Sequence, residues 1–419
     1  MTIYKAPRGT HDIFGRIARG LEELDKISRE TFKKHNFKEM KTPIFEEAAL
    51  FTRSIGEATD IVEKEMYIFE DRKGRKLALR PEGTASLVRA YIEHRLDMED
   101  SVNKYFYCGE MFRYERPQAG RYRQFTQMGA EYLNNPNPNA DAEIILLAAD
   151  ILSKLNIKEI TIHLNSLGCE KCRPVFRQKL VDYFSSIKDL CQDCQRRLEK
   201  NPLRLLDCKI DSNKFADVPS MRQCLCDDCK NHFENVQSLL KSVGCNFIVD
   251  DKLVRGLDYY TRTVFEIRSS AVGSQDALCA GGRYDNLVKE LGGQQISSVG
   301  FALGSERVLM AAEKTGFFDN IKKDNIIFIA VADEQLYNDA FTFANDMINN
   351  KNGITEKLNL GKNVIVEGPF INKSLKSQFK LADKIGAVKT IIFGKNEYDN
   401  GKILIKDMTT QQQNEFSLK

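Results

Sequence analysis

Apolar and polar positions alternate most tightly in residues 107–132, YCGEMFRYERPQAGRYRQFTQMGAEY. Two strand-like runs there flank a basic turn carrying Pro117 and Gly120. Residues two apart share one face of a strand. On the second run Arg123, Phe125, Gln127, Gly129 and Glu131 therefore line up, offering a cation, a ring, an amide, a gap and a carboxylate. The other face, Gln124, Thr126, Met128, Ala130 and Tyr132, is suited to packing. On the first run Arg113 and Glu115 share the polar side with Tyr107 and Gly109. A surface strand needs no such variety on one face, so the hairpin reads as the floor of a site. The plain alternative is a solvated hairpin laced with ion pairs.

The remaining pattern supplies the frame. An amphipathic helix is predicted over 21–34, a strand-like start at Pro43, a helix over 46–54, and two short strands around a turn at 71–74. Arg80-Pro81-Glu82-Gly83-Thr84 ends a strand and opens a helix, with Thr84 as its cap and Glu82 complementing its dipole. A helix over 141–155 and a strand over 160–164 follow. A turn with Arg255 and Gly256 precedes a strand in which Thr261, Thr263 and Phe265 alternate with Arg262, Val264 and Glu266. Gly300, Gly304 and Arg307 are spaced to share one helix face, a bare groove beside a cation. A linker at 319–324 leads to 325–419, where strands and helices alternate as in an α/β unit with a partly parallel sheet.

Composition narrows the chemistry. A chain of 419 residues implies two or three domains, and 42% hydrophobic with 29% charged residues is globular. A net charge of +3 permits a nucleic-acid partner without demanding one. The start MTIYKAPRGTHDIF has no long apolar segment and no run reaches membrane-spanning length, so a cytoplasmic location is expected, with eleven reduced cysteines. Five scattered histidines leave little for a histidine triad or a zinc-hydrolase cluster, and neither common glycine-rich phosphate loop is present. Arginines, carboxylates and amides without a credible side-chain nucleophile suit phosphoryl-centre chemistry run by positioning and charge.

Eight cysteines fall in 165–244, which reads as a helical insertion. Cys169–Cys172, Cys191–Cys194 and Cys226–Cys229 are C-x-x-C pairs, with Cys208 and Cys224 besides. That spacing suits tetrahedral zinc. Against it, the pairs lie on helix-like sequence without knuckle glycines, and His232 is the one nearby imidazole. Structural zinc and metal-free thiols both stay open.

Residues 107–132 resemble motif 2 of the class II aminoacyl-tRNA synthetases in the form found in histidyl-tRNA synthetases. RPEGT at 80–84, RGLDYY at 255–260 and CAGGRYD at 279–285 resemble further elements of that family, and SVGFALGSER at 298–307 resembles motif 3. Ser305 departs from the apolar residue usual there, a change expected to cost packing. The resemblance implies a mixed α/β chain: an α+β catalytic core on an antiparallel sheet over 1–322, interrupted by the insertion at about 165–244, then an anticodon-binding α/β domain over 325–419. KSLKSQFKLADKIGA resembles that last domain, although the preceding EGPFINK lacks the expected paired glycines. It also implies a homodimer through the segment that includes 46–79.

The implied reaction joins L-histidine to tRNA(His) through histidyl-adenylate. Arg113 and Arg255 would serve the α-phosphate, Arg255 taking a place that other class II enzymes give to a metal ion. Glu82, Gly83, Thr84, Arg113, Gln127, Glu131, Arg255, Tyr259 and Tyr260 would bind histidine. Phe125 and Arg307 would bracket adenine, with Arg121 or Arg123 toward the outer phosphates and Mg2+ accompanying ATP. Arg8, Arg116 and Gln118 would meet the tRNA acceptor end. The alternative is a relative that keeps the core without the chemistry, the histidine-sensing regulatory subunit of ATP phosphoribosyltransferase. The intact RGLDYY and the C-terminal domain argue against it.

Overall fold

Alternation becomes pairing where it is strongest. In the computed structural model, which describes residues 4–56, 59–99, 102–208, 210–272, 277–321, 324–361, 363–371 and 373–418, strands Lys104–Phe112 and Gln124–Tyr132 run antiparallel. Tyr107 stands opposite Gly129 and Met111 opposite Phe125. Among the described residues they belong to an eight-stranded sheet, in the order Lys38–Glu39, Lys104–Phe112, Gln124–Tyr132, Val299–Gly304, Ala277–Arg283, Thr261–Ser269, Ile160–Ser166 and Phe247–Val249. The inner pairings are antiparallel, and only the two edge strands pair parallel.

The two-residue period sends alternate side chains to opposite faces. Phe106, Met128, Ala130, Leu164, Phe265, Ile267, Phe301 and Leu303 enter one core with the helices Gly15–Lys34, Pro138–Lys154, Asp227–Ser242 and Ser305–Lys314. Pro138–Lys154 buries Ile144, Ile145, Leu147, Ile151 and Leu152 completely, each contributing about 1.5–3 kcal/mol. Tyr105, Tyr107, Met111, Tyr259, Tyr260, Val264 and Tyr284 gather on the opposite face. That face carries the site.

Several expectations shift. The first helix begins at Gly15, six residues before the predicted start. Thr84 is the first residue of its helix and Gly83 the cap, while the Glu82 carboxylate just before it accepts from the amides of Thr84 at 2.6 Å and Ala85 at 2.9 Å. Gly300 and Gly304 lie on a strand, and the helix with Arg307 starts only at Ser305, so the shared helix face does not exist. The glycine spacing has another cause: Gly300 pairs with both Gly282 and Glu131, and a Cβ there would collide with the Glu131 carboxylate. Among the described residues the hydroxyl of the fully buried Ser305 has no hydrogen-bond partner.

Within the cysteine-rich segment, helices Cys172–Ser185 and Gln192–Lys200 and several short turns close a small core of their own around Phe176, Leu180, Phe184 and Phe215. Its last helix, Asp227–Ser242, instead sends Phe233, Val236 and Leu240 into the main core. Contacts divide the chain at 321/322. Positions 322 and 323 of the expected linker lie outside the described residues. The second unit has a five-stranded sheet in the order Val364–Glu367, Asn325–Val331, Lys389–Phe393, Lys402–Asp407, Gln413–Ser417, parallel among the first three and antiparallel after. No described helix is long and apolar enough to cross a membrane.

Candidate active site

The sheet's polar face opens on a cavity of about 360 Å³, with Arg113, Arg121, Arg255 and Arg307 on its walls. Phe125 and Gln127 rise from the hairpin floor, as their parity requires, and Glu115, Glu266 and Glu306 complete the charged lining. Arg113 leaves the end of its strand and its Nε donates to the Pro81 carbonyl at 2.8 Å, which ties it to the RPEGT turn. Its guanidinium lies 5.4 Å from the centre of the Phe125 ring. Glu115 stands 3.3 Å from Arg121 and 3.9 Å from Arg113, balancing both. Arg307 donates to the Ala277 carbonyl at 3.0 Å.

Arg255 reaches the cavity from the turn before Thr261–Ser269 and pairs with Glu266 at 2.8 Å. The other Glu266 oxygen accepts from Arg268 at 2.6 Å. Among the described residues the buried Arg255 Nε has no hydrogen-bond partner, while the residue itself lines the cavity. Strand alternation carried the signal for Glu266, since it shares the face of Arg262 and Val264, yet nothing local tied it to Arg255.

Behind Gln127 lies a buried polar group. The Thr84 hydroxyl donates to Glu131 at 2.6 Å and the Tyr284 hydroxyl to its second oxygen at 2.5 Å. Burial pushes the Glu131 carboxyl up to about 8, against those hydrogen bonds, and nearby Glu82 adds to the rise. Burial raises Glu82 too, although the Ala85 and Thr84 amides pull it down. The gap expected at Gly129 is filled by the Tyr107 ring, which also leaves no room for a Cβ at Gly83. Tyr107 donates from its hydroxyl to Gln127 at 3.4 Å. The Tyr259 ring packs tilted against Tyr260 at 4.7 Å and edge-on against Tyr284 at 5.6 Å. Tyr284 was missed as a site residue; its place directly after Gly281-Gly282-Arg283 was the available clue.

The predicted residues thus separate into neighbouring sets. Arg113, Arg121, Phe125, Gln127, Arg255 and Arg307 line the cavity. Glu82, Gly83, Thr84, Glu131, Tyr259 and Tyr260 form the buried wall behind it. Arg123 joins neither. Its guanidinium stacks over the Tyr114 ring at 3.8 Å and donates to the Arg8 carbonyl at 3.4 Å, away from the expected phosphate position. Arg8, Arg116 and Gln118 are exposed, and the Gly9 carbonyl accepts from the Arg123 amide at 2.8 Å, so the N-terminal segment runs beside the hairpin.

The cysteines do not form one set of six. Cys169, Cys172, Cys226 and Cys229 meet in one cluster, while Cys191 and Cys194 join Cys208 and Asp211 in another. His232 belongs to neither and bonds to Asp141 at 3.2 Å.

The family model described as Histidyl-tRNA synthetase matches residues 9–171 and 195–308. A curated Histidine--tRNA ligase of Endomicrobium trichonymphae is 63% identical over 99% of this chain and 98% of its own length. Another, of Aquifex aeolicus, is 45% identical over 98% of each. The solved apo histidyl-tRNA synthetase of S. aureus superposes with a TM-score of 0.82 at 33% identity, covering 99% of this chain and 98% of that one. Matches of this length do not favour the regulatory-subunit alternative. With its motif residues gathered around one arginine-lined cavity, the chain belongs to the histidyl-tRNA synthetase family.

Proposed function

We propose that the chain charges tRNA(His) with L-histidine, first making histidyl-adenylate from histidine and ATP. One observation carries the reading: a cavity with four arginines on its walls lies against the buried wall of Thr84 and Glu131. The full-length match to histidine--tRNA ligases supports it. In the first step the histidine carboxylate attacks the α-phosphorus of ATP, the bond to the bridging oxygen breaks, and pyrophosphate leaves. Arg113 and Arg255 neutralise the charge gathering on the α-phosphate oxygens. Phe125 and Arg307 bracket the adenine, and Arg121 faces the outer phosphates. Mg2+ enters as part of the ATP substrate. The tRNA's terminal ribose hydroxyl then takes the histidyl group from the adenylate, releasing AMP.

Glu82, Gly83, Thr84, Gln127, Glu131, Tyr259 and Tyr260 hold histidine through its ammonium and ring, with Arg113 and Arg255 at its carboxylate. A polar ring matched by buried partners permits strong selection, because a wrong side chain leaves those partners unpaired. Arg8, Arg116 and Gln118 receive the acceptor end. The catalytic domain spans 1–322 with its insertion at about 165–244, and 325–419 reads the anticodon. A cytoplasmic setting follows from the reaction. Histidine-dependent exchange of pyrophosphate into ATP, followed by charging of tRNA(His), tests the reading. Folded protein that binds histidine but gives no exchange would sink it.

The Glu131 carboxyl, at about 8, keeps its proton at pH 7. A cationic ligand group nearby favours the charged form, so histidine binding is expected to release about one proton at pH 7. Binding should tighten as pH rises from 6 toward 8. Calorimetry in buffers of differing ionisation enthalpy measures the release, and Glu131→Gln should remove most of it.

A homodimer is part of the proposal. The small sheet Phe45–Glu47, Lys76–Leu79, Ile68–Glu70 leaves Phe45 52%, Ile68 52% and Phe69 42% exposed, with the two phenyl rings 6.4 Å apart. Apolar residues grouped this way mark an interaction surface. Light scattering is expected to give twice the chain mass for the wild type and monomer for Phe45→Glu/Phe69→Glu.

A further inference from the structure

The insertion's thiols are sorted by the fold into two tetrads, each with its ligand atoms within 4.8 Å of one another. We propose that both bind structural zinc: an all-thiolate centre at Cys169, Cys172, Cys226 and Cys229, and a mixed thiolate–carboxylate centre at Cys191, Cys194, Cys208 and Asp211. We further propose that the second centre fixes the segment that braces the Arg255 turn.

Distances between sulfurs identify the chemistry. Cys169 lies 3.7 Å from Cys172 and 3.8 Å from Cys226, and Cys191 lies 3.8 Å from Cys208. A disulfide would need about 2.05 Å. Thiolates around one zinc at about 2.3 Å lie roughly 3.8 Å apart along the tetrahedron's edges. An iron–sulfur cluster spreads its cysteines around several metal atoms, which tetrads this compact cannot enclose.

Their immediate surroundings agree. The Cys226 amide points at the Cys172 sulfur at 3.1 Å, and the Asp211 amide at the Cys208 sulfur at 3.3 Å. Donors aimed at ligand sulfurs orient and stabilise thiolates. The Asp211 carboxylate is itself oriented, one oxygen accepting from the Cys191 amide at 2.8 Å and the other 3.0 Å from Lys214. Lys214 thus braces that carboxylate from outside the tetrad.

Placement gives each centre a task. The first joins residues 57 apart and pins the start of the insertion to the start of its last helix. In the second, Cys194 and Cys208 bracket the segment that meets the active-site turn. From that segment Asn201 donates to Asp258 at 2.9 Å, and Arg204 to the Arg255 carbonyl at 3.2 Å. Arg197 and Arg204 also pair with Asp60 at 3.2 and 3.4 Å. The metal assignment stands without the proposed reaction; only its link to pyrophosphate exchange rests on that reading.

The full chain, purified reduced and without chelator from zinc-supplemented cells, is expected to hold two zinc ions by plasma mass spectrometry. Cys172→Ser/Cys229→Ser and Cys194→Ser/Asp211→Asn should each keep one. Cobalt reconstitution of the wild type gives a readout independent of the variants' folding, with thiolate charge-transfer bands expected for two tetrahedral ions. Zinc removal should slow histidine-dependent exchange on the order of 10-fold, and added zinc should restore it. Folded, reduced wild type that holds no zinc and gives no cobalt–thiolate band overturns the proposal, and iron in place of zinc overturns the metal's identity. A single ion overturns the two-centre arrangement. Unchanged exchange after removal overturns the brace. Two ions with no exchange in any form support the centres and count against the synthetase reading alone.

Discussion

Replacing Arg255 by alanine is expected to lower histidine-dependent pyrophosphate exchange by 10²–10³-fold, about 3–4 kcal/mol of transition-state stabilisation. The side chain lines the cavity, its pairing with Glu266 fixes its direction, and among the described residues its buried Nε has no partner. Preorganised charge of this kind acts on the transition state, so kcat should fall more than KM for histidine rises. The variant should still fold, because Arg268 remains 2.6 Å from Glu266 and keeps that carboxylate paired. Arg255→Lys should recover only part of the loss, since an ammonium keeps the charge and gives up the guanidinium's fixed fork. Exchange within a few-fold of wild type in Arg255→Ala would reduce Arg255 to a strut for Glu266.

The largest stability effect is expected at Arg283. It is fully buried, bonded to the carboxylate of Asp141, and donates to the carbonyls of Asn135 at 2.8 Å and Asn137 at 3.2 Å. His232 reaches the same carboxylate at 3.2 Å. This group ties the strand ending at Arg283 to the helices Pro138–Lys154 and Asp227–Ser242. Arg283→Ala would leave Asp141 as a buried carboxylate with one remaining side-chain partner, at a cost of about 3–5 kcal/mol by denaturant titration. Replacing both partners, Asp141→Leu with Arg283→Leu, should cost less than Arg283→Ala, because no buried charge is then stranded.

The same pair sets an acid limit. Burial alone would raise the Asp141 carboxyl, but the Arg283 charge and the His232 and Arg283 hydrogen bonds outweigh it and hold the carboxyl at about 2. The folded state therefore binds fewer protons than the unfolded one between about pH 4 and 2. The pair's stabilisation is complete above that window and lost as pH falls through it. Unfolding profiles of the wild type should steepen there, and those of Arg283→Ala should lose that slope.

Strand parity was a local property, and residues inside the ladder obeyed it. Phe125 and Gln127 face the cavity while Met128 and Ala130 enter the core, because a paired strand has no other way to turn. Arg123 shows where the rule ends. It precedes Gln124, where the regular ladder closes, and outside the ladder its guanidinium is free to stack on Tyr114. Gly300 and Gly304 show a second limit. Their spacing fits a helix face and a strand equally well, and only the close approach of Glu131 to Gly300 explains the first glycine.

By itself the sequence determined the hairpin and its two faces, the motif residues, the α/β alternation of the last unit and the family. These rest on neighbours a few residues apart and on motifs readable as strings. Tertiary structure alone decided that Tyr107 fills the gap at Gly129, that Tyr284 binds Glu131, and that Glu266 aims Arg255. It also decided which cysteines meet, since C-x-x-C spacing pairs neighbours but says nothing of which pair joins which, or of Asp211. Tyr284 and Glu131, like Cys169 and Cys226, come from segments far apart in the chain, and even the nearer pairs, Arg255 with Glu266 and Tyr107 with Gly129, meet only after a turn reverses the chain; local periodicity carries no information there, and packing chooses the partner.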